Sequence, residues 1–265
     1  MSVERQMNLL PVFLLIDTSG SMSGTKIEQV KAAIEEIKLQ LSLLNEELEN
    51  TILNISILSF ASECRWLAKF KKPCEINSDL SVGGITSMGA ALSELNQALT
   101  KGTLAAVNNN YDLIKCPVVI MLTDGCATDD FDASLEYIKT NRWFLQSYRL
   151  AFAIGEDADI ECVANFTGSE KTVLSINDVS VISEILPKVT RSLSVASGYS
   201  KNANYQINNY NEQFVESAKK TEQAIFEAIE DRYKAYCNQK TFRKGSDYVS
   251  GNNSEWNSDN FNGWE

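Results

Sequence analysis

The sequence predicts an α/β protein: a doubly wound, mostly parallel, Rossmann-like sheet with one antiparallel edge strand and helices on both faces. Three observations carry this. Short apolar runs alternate with amphipathic stretches from Leu9 to about Leu193. The runs are continuously apolar, as in parallel strands buried on both faces. Polar or glycine-bearing loops follow three of the predicted strands and helices, where such sheets bind ligands.

Leu9–Ile16 is the first run and ends in turn residues. Thr18–Thr25 is a Ser/Gly loop. From Lys26 to Leu48, Ile27, Val30, Ile34, Ile37, Leu41 and Leu44 recur at helical spacing. Thr51–Phe60 is the second strand. Cys64–Phe70 follows after a short turn, so the two pair as a hairpin and supply the antiparallel edge. Ser81–Gly89 is a second polar loop, and Ala90–Leu99 is helical. Pro117–Leu122 is a strand closed by Thr123-Asp124-Gly125. Phe131–Thr140 is a helix, Arg149–Ile154 a strand, Ile160–Phe166 a short helix and Thr172–Ile176 the last strand. Asp178 is placed to cap a helix over Val179–Leu193. These elements make one domain, 8–195. A C-terminal extension, 196–265, carries a helix at about 211–237 and then a flexible polar tail with Trp256, Phe261 and Trp264 as docking or anchoring aromatics.

The chain has 265 residues, a net charge of −11 and no histidine. The charge argues against nucleic acid as a partner. The lack of histidine removes Ser-His-Asp hydrolysis and the usual zinc hydrolase sites. Six scattered cysteines form no C-x-x-C pair and are expected to be small buried hydrophobes in a reducing compartment. No stretch approaches the length of a membrane span, and Leu9–Ile16 runs straight into Asp17 without a cleavage site. A cytoplasmic location is therefore expected.

The loop after the first strand spells Asp17-Thr18-Ser19-Gly20-Ser21. Its alternate hydroxyls suit neighbouring positions around a hard cation, with Asp17 acting directly or through water. Thr86, in Gly83-Gly84-Ile85-Thr86-Ser87, offers a third hydroxyl, and Asp124 a carboxylate at the end of a later strand. The competing reading makes the first loop a helix-capping turn for Lys26–Leu48, and Thr123-Asp124-Gly125 a plain turn. Cys126 is expected to be a buried bystander rather than a redox group. Asp129, Asp130 and Asp132 suit a solvated helix N-terminus.

This constellation resembles the metal-ion-dependent adhesion site of von Willebrand A domains, over about Leu9 to Leu193. The resemblance implies that Asp17, Ser19, Ser21, Thr86 and Asp124 hold Mg²⁺ (or Mn²⁺), and that a partner protein's Asp or Glu completes the shell. Gly84, Ser87, Gly125 and Asp129 would form the partner-binding rim. Leu10–Met22 and Gly83–Leu92 are also similar to bacterial tellurium-resistance TerY-like proteins, a group associated with kinase and phosphatase partners in stress-response clusters. Function is thus expected to be metal-dependent protein binding without catalysis, membrane or nucleic acid. The alternatives are a Mg²⁺-dependent phosphatase- or nuclease-like enzyme, and an adaptor subunit of an AAA+ ATPase.

Overall fold

The computed structural model describes residues 7–191 except 77–78, 109, 111–112, 156–157, 170–171, 177–181, 184–185 and 188–189. The expected extension at 196–265, its helix and its aromatics lie outside the described residues. So do Asp178 and the start of the helix expected after it. Residues 182–183, 186–187 and 190–191 are helical.

Six strands form one sheet: β1 (Asn8–Asp17), β2 (Thr51–Phe60), β3 (Cys64–Lys71), β4 (Val118–Thr123), β5 (Tyr148–Ile154) and β6 (Val173–Ile176). Their spatial order is β3-β2-β1-β4-β5-β6. All neighbours are parallel except β2 and β3, the expected antiparallel hairpin edge. β1 is central. Every one of its ten residues is buried, because β2 and β4 flank it and helices cover both faces.

The period-two alternation of β1 divides the core. Leu10, Val12, Leu14 and Ile16 point to one face, where α1 (Thr25–Glu47) lays down Ile27, Val30, Ile34, Ile37 and Leu41. Leu9, Phe13 and Leu15 point to the other. That face is covered by α2 (Met88–Ala98), α4 (Phe131–Ile138) and α6 (Ile160–Thr167), with Leu92, Leu135 and Phe166 among the buried contacts. Two short helices join them there: α3 (Lys101–Val107) and α5 (Arg142–Gln146). Neither has the apolar periodicity that marks a helix in sequence. α3 buries only Leu104, and α5 is a five-residue turn capped by Asn141 through the amides of Trp143 and Phe144.

The strand order reverses direction between β1 and β4. Their carboxyl ends, Asp17 and Thr123, therefore open side by side at the switch point where such sheets bind ligands.

Candidate metal centre

The loop after β1 does not serve the helix that follows it. The N-cap of α1 is Gly24, with a positive φ of 77° and no side-chain cap. A three-residue 3₁₀ turn, Gly20–Met22, intervenes, and Ser19 at its head makes no side-chain cap either. The capping reading of Asp17–Ser21 is thus corrected: its polar side chains turn to one another and to the end of β4.

Asp17 is fully buried. One carboxylate oxygen accepts the Ser19 amide at 2.8 Å and the other the Thr123 hydroxyl at 2.6 Å. Burial pushes its carboxyl above the usual range, while the Thr123 and Ser19 hydrogen bonds pull the other way. Thr123 also accepts the Gly125 amide and so shapes the turn that presents Asp124. The Ser19 and Ser21 hydroxyls lie 2.9 Å apart. Ser21 donates to Asp124 Oδ1 at 2.7 Å. The second oxygen of Asp124 carries the Lys26 ammonium at 2.5 Å.

Backbone pairs hold the loops in place. Gly20 N–H donates to the Gly84 carbonyl at 3.0 Å, and Gly83 N–H to the Thr18 carbonyl at 2.9 Å. Gly84 has φ +86°, and a Cβ there would run into the Ser62 side chain, so the close approach requires glycine. Thr86 is buried, and its carbonyl accepts both the amide and the hydroxyl of Thr128. That ties the second loop to the third. Among the described residues, the Thr86 hydroxyl makes no hydrogen bond to the other four.

These residues fit a hard divalent ion. Neighbouring oxygens around octahedral Mg²⁺ stand about 3.0 Å apart, root two times a bond of about 2.1 Å. The Ser19–Ser21 and Ser21–Asp124 hydrogen bonds, 2.9 and 2.7 Å, already hold these oxygens near that spacing, so an ion could replace the bonds with little movement. The donors are all hydroxyl or carboxylate oxygens, and a cation, the Lys26 ammonium, already sits against one of them.

The four residues expected at the rim lie in different surroundings. Gly84 is exposed and Gly125 half-buried. Ser87 is buried, its amide bound to the Ala61 carbonyl just before α2. Asp129 spends both oxygens on the first amides of α2, from Gly89 and Ala90, at 2.9 Å each. It is a helix cap supplied from 40 residues downstream. Asp130, as expected of a helix N-terminus, caps α4 through the Ala133 amide.

The cysteines are corrected too. None of the five described is buried: Cys74 and Cys126 are exposed, and Cys64, Cys116 and Cys162 are intermediate. Cys126 donates its S–H to Asp159 at 2.8 Å. That carboxylate, which prefers the protonated thiol, holds Cys126 up at about 11. The thiolate fraction at neutral pH is about a hundredfold below that of a thiol at 9, partly offset by greater intrinsic nucleophilicity, for a net slowing of about tenfold. Cys126 is expected to alkylate with iodoacetamide about tenfold more slowly in the wild type than in an Asp159→Asn variant at pH 7.5, gaining rate as pH rises toward 11. Equal labelling of Cys126 in the two proteins by peptide mass mapping would refute this.

The family model for von Willebrand factor type A domains matches residues 12–188. Proximal thread matrix protein 1 from the mussel byssus superposes with a TM-score of 0.52 at 20% identity, covering 72% of this chain and 49% of that one. A von Willebrand factor type A structure from Catenulispora acidiphila gives 0.54 at 18%, covering 71% and 43%. The mussel protein has also been solved with a zinc-occupied MIDAS motif, at a TM-score of 0.50 and 16% identity, covering 71% and 47%. The chain thus spans under half the length of these relatives. Among curated proteins, no sequence matches.

Proposed function

The chain belongs to the von Willebrand factor type A domain family, and from that premise we propose that it is a metal-dependent protein-binding module that docks an acidic side chain of a partner. The carrying observation is the unbroken chain Ser19–Ser21–Asp124, built from two loops that meet at the switch point of the sheet. Ser19, Ser21 and Asp124 hold the ion. Asp17 positions Ser19 through its amide and Thr123 through its hydroxyl, and Thr86 joins from the second loop. A bound divalent ion reverses the local sign and gives an acidic chain a place for a partner's Asp or Glu.

Zinc at the MIDAS motif of the mussel relative supports a divalent ion. The all-oxygen donor set favours Mg²⁺ or Mn²⁺. Ile85, 56% exposed in the second loop, offers an apolar contact beside it. Binding rather than catalysis is supported by a sequence with no histidine and by an Asp17 whose two oxygens already hold protein donors. The five described thiols are all free, which supports a reducing, cytoplasmic setting. No described helix is long and apolar enough to cross a membrane. The similarity of Leu10–Met22 to TerY-like proteins supports a stress-response partner of the kinase or phosphatase kind.

Affinity capture from a lysate with the full chain as bait tests the reading. Partners are expected in Mg²⁺, lost in EDTA, and absent from a Ser19→Ala bait that melts with the wild type. Capture indifferent to both would overturn it.

A further inference from the structure

Lys26 is the residue at this site whose role the family resemblance does not supply. It is the second residue of α1, so its side chain leans back over the helix N-terminus, toward the loops. Its ammonium rests on Asp124 Oδ2 at 2.5 Å. Its stem passes the end of β5, where a Cβ on Gly155 would lie 3.5 Å from both Cε and Nζ.

Exposure differs sharply across the pair. The Lys26 side chain is 36% exposed, while that of Asp124 is 1% exposed. The carboxylate has almost no surface of its own, since Ser21 covers one oxygen and Lys26 the other. An incoming cation meets the lysine first. An ion held at the Ser21–Asp124 Oδ1 edge and the ammonium on Oδ2 would face each other across a single carboxylate, where like charges repel. Lys26 is exposed enough to swing into solvent. Asp124, fixed by the Thr123 turn, is not.

Resting on the metal-binding reading, we propose that Lys26 is a built-in counter-cation of Asp124, and that the divalent ion enters by displacing its ammonium. In the ion-free chain the pair keeps a buried carboxylate neutralised. When the ion enters, the ammonium is released toward solvent, where it would add a positive charge attractive to an acidic partner. Metal affinity is then set by competition with an internal cation, and the site discriminates against ions too weakly charged to evict it.

The test is a Mn²⁺ titration of the full chain followed by electron paramagnetic resonance. Lys26→Met is expected to bind about tenfold more tightly than wild type. Lys31→Met removes the same charge from the exposed pair with Glu28 farther along α1, and should stay within about twofold. Lys26→Arg, which keeps the counter-charge, should bind no more tightly than wild type. Without metal, Lys26→Met should melt below wild type, and it should gain more from added Mg²⁺. If Lys26→Met lacks the wild-type far-UV spectrum, Lys26→Gln is measured in its place. Equal affinity of Lys26→Met and wild type, weaker binding by Lys26→Met, or an equal gain in Lys31→Met would each overturn the exchange and leave metal binding standing. No Mn²⁺ binding by wild type would instead overturn the metal-binding reading itself.

Discussion

Asp124→Ala is expected to lower Mn²⁺ or Mg²⁺ affinity more than a hundredfold and to leave the fold standing. Removing groups that merely support a metal ligand already weakens binding by about 10–100-fold, and Asp124 is a carboxylate offered to the ion itself. The stability cost should be small, about 1 kcal/mol or less. The two groups left without it, the Ser21 hydroxyl and the Lys26 ammonium, both reach solvent, and Asp17 is relieved of a neighbouring negative charge. Asp17→Ala supplies the contrast. It strands the Ser19 amide in a buried site and leaves the Thr123 hydroxyl only its longer 3.2 Å bond to the Gly125 carbonyl, at about 1–3 kcal/mol for the unsatisfied amide. Calorimetric titration and thermal melts of both variants check the pair. An Asp124→Ala chain that still binds the ion at wild-type affinity would remove Asp124 from the site.

Phe13→Ala should be the most damaging change in the core, costing about 3–5 kcal/mol. Phe13 is wholly buried on central β1. Its ring meets Phe70 edge-on at 5.6 Å and 83°, and Trp66 at 6.5 Å and 65°. Both partners stand on β3, so truncation opens a cavity and unpacks the antiparallel edge together. Urea unfolding reads the loss directly, and Phe13→Leu should recover most of it by restoring volume. A loss below about 1 kcal/mol in the alanine variant would mean that the neighbours collapse into the gap.

The sheet was legible wherever local pattern and tertiary burial coincide. Leu9–Ile16 and Thr51–Phe60 are apolar runs that only a strand buried on both faces accommodates, and the spacing of Ile27 to Leu44 is that of one helix face. α3 and α5 were not legible, because a helix of one or two turns with Gly102 or a lone cap in it carries no periodicity. That the loops bearing Asp17, Ser19, Ser21 and Asp124 meet was legible because each lies at the end of a recognisable strand. The rest depends on contacts across the chain. Lys26 looks like any solvated first-turn lysine until the strand order brings Asp124, 98 residues away, beneath it. Asp129 looks like a surface acid until α2 presents its amides. Cysteine tends to be buried as a residue type, yet Cys126 follows the β4 turn and its exposure is set by that turn.

The central place of β1 sets a gradient of opening across the site. Its amides bond to neighbours on both sides, so protons from about Val12 to Ile16 exchange with solvent chiefly through global unfolding. A residue or two beyond, the serines sit in a short 3₁₀ turn with far fewer backbone hydrogen bonds than the strand. One end of the constellation is thus moored to the central strand, and the other lies in a single turn tied by the Gly20 amide to the Gly84 carbonyl. A ligand joining the two ends would spend its binding energy on quieting the serine turn, and protection from deuterium would spread outward from Asp17.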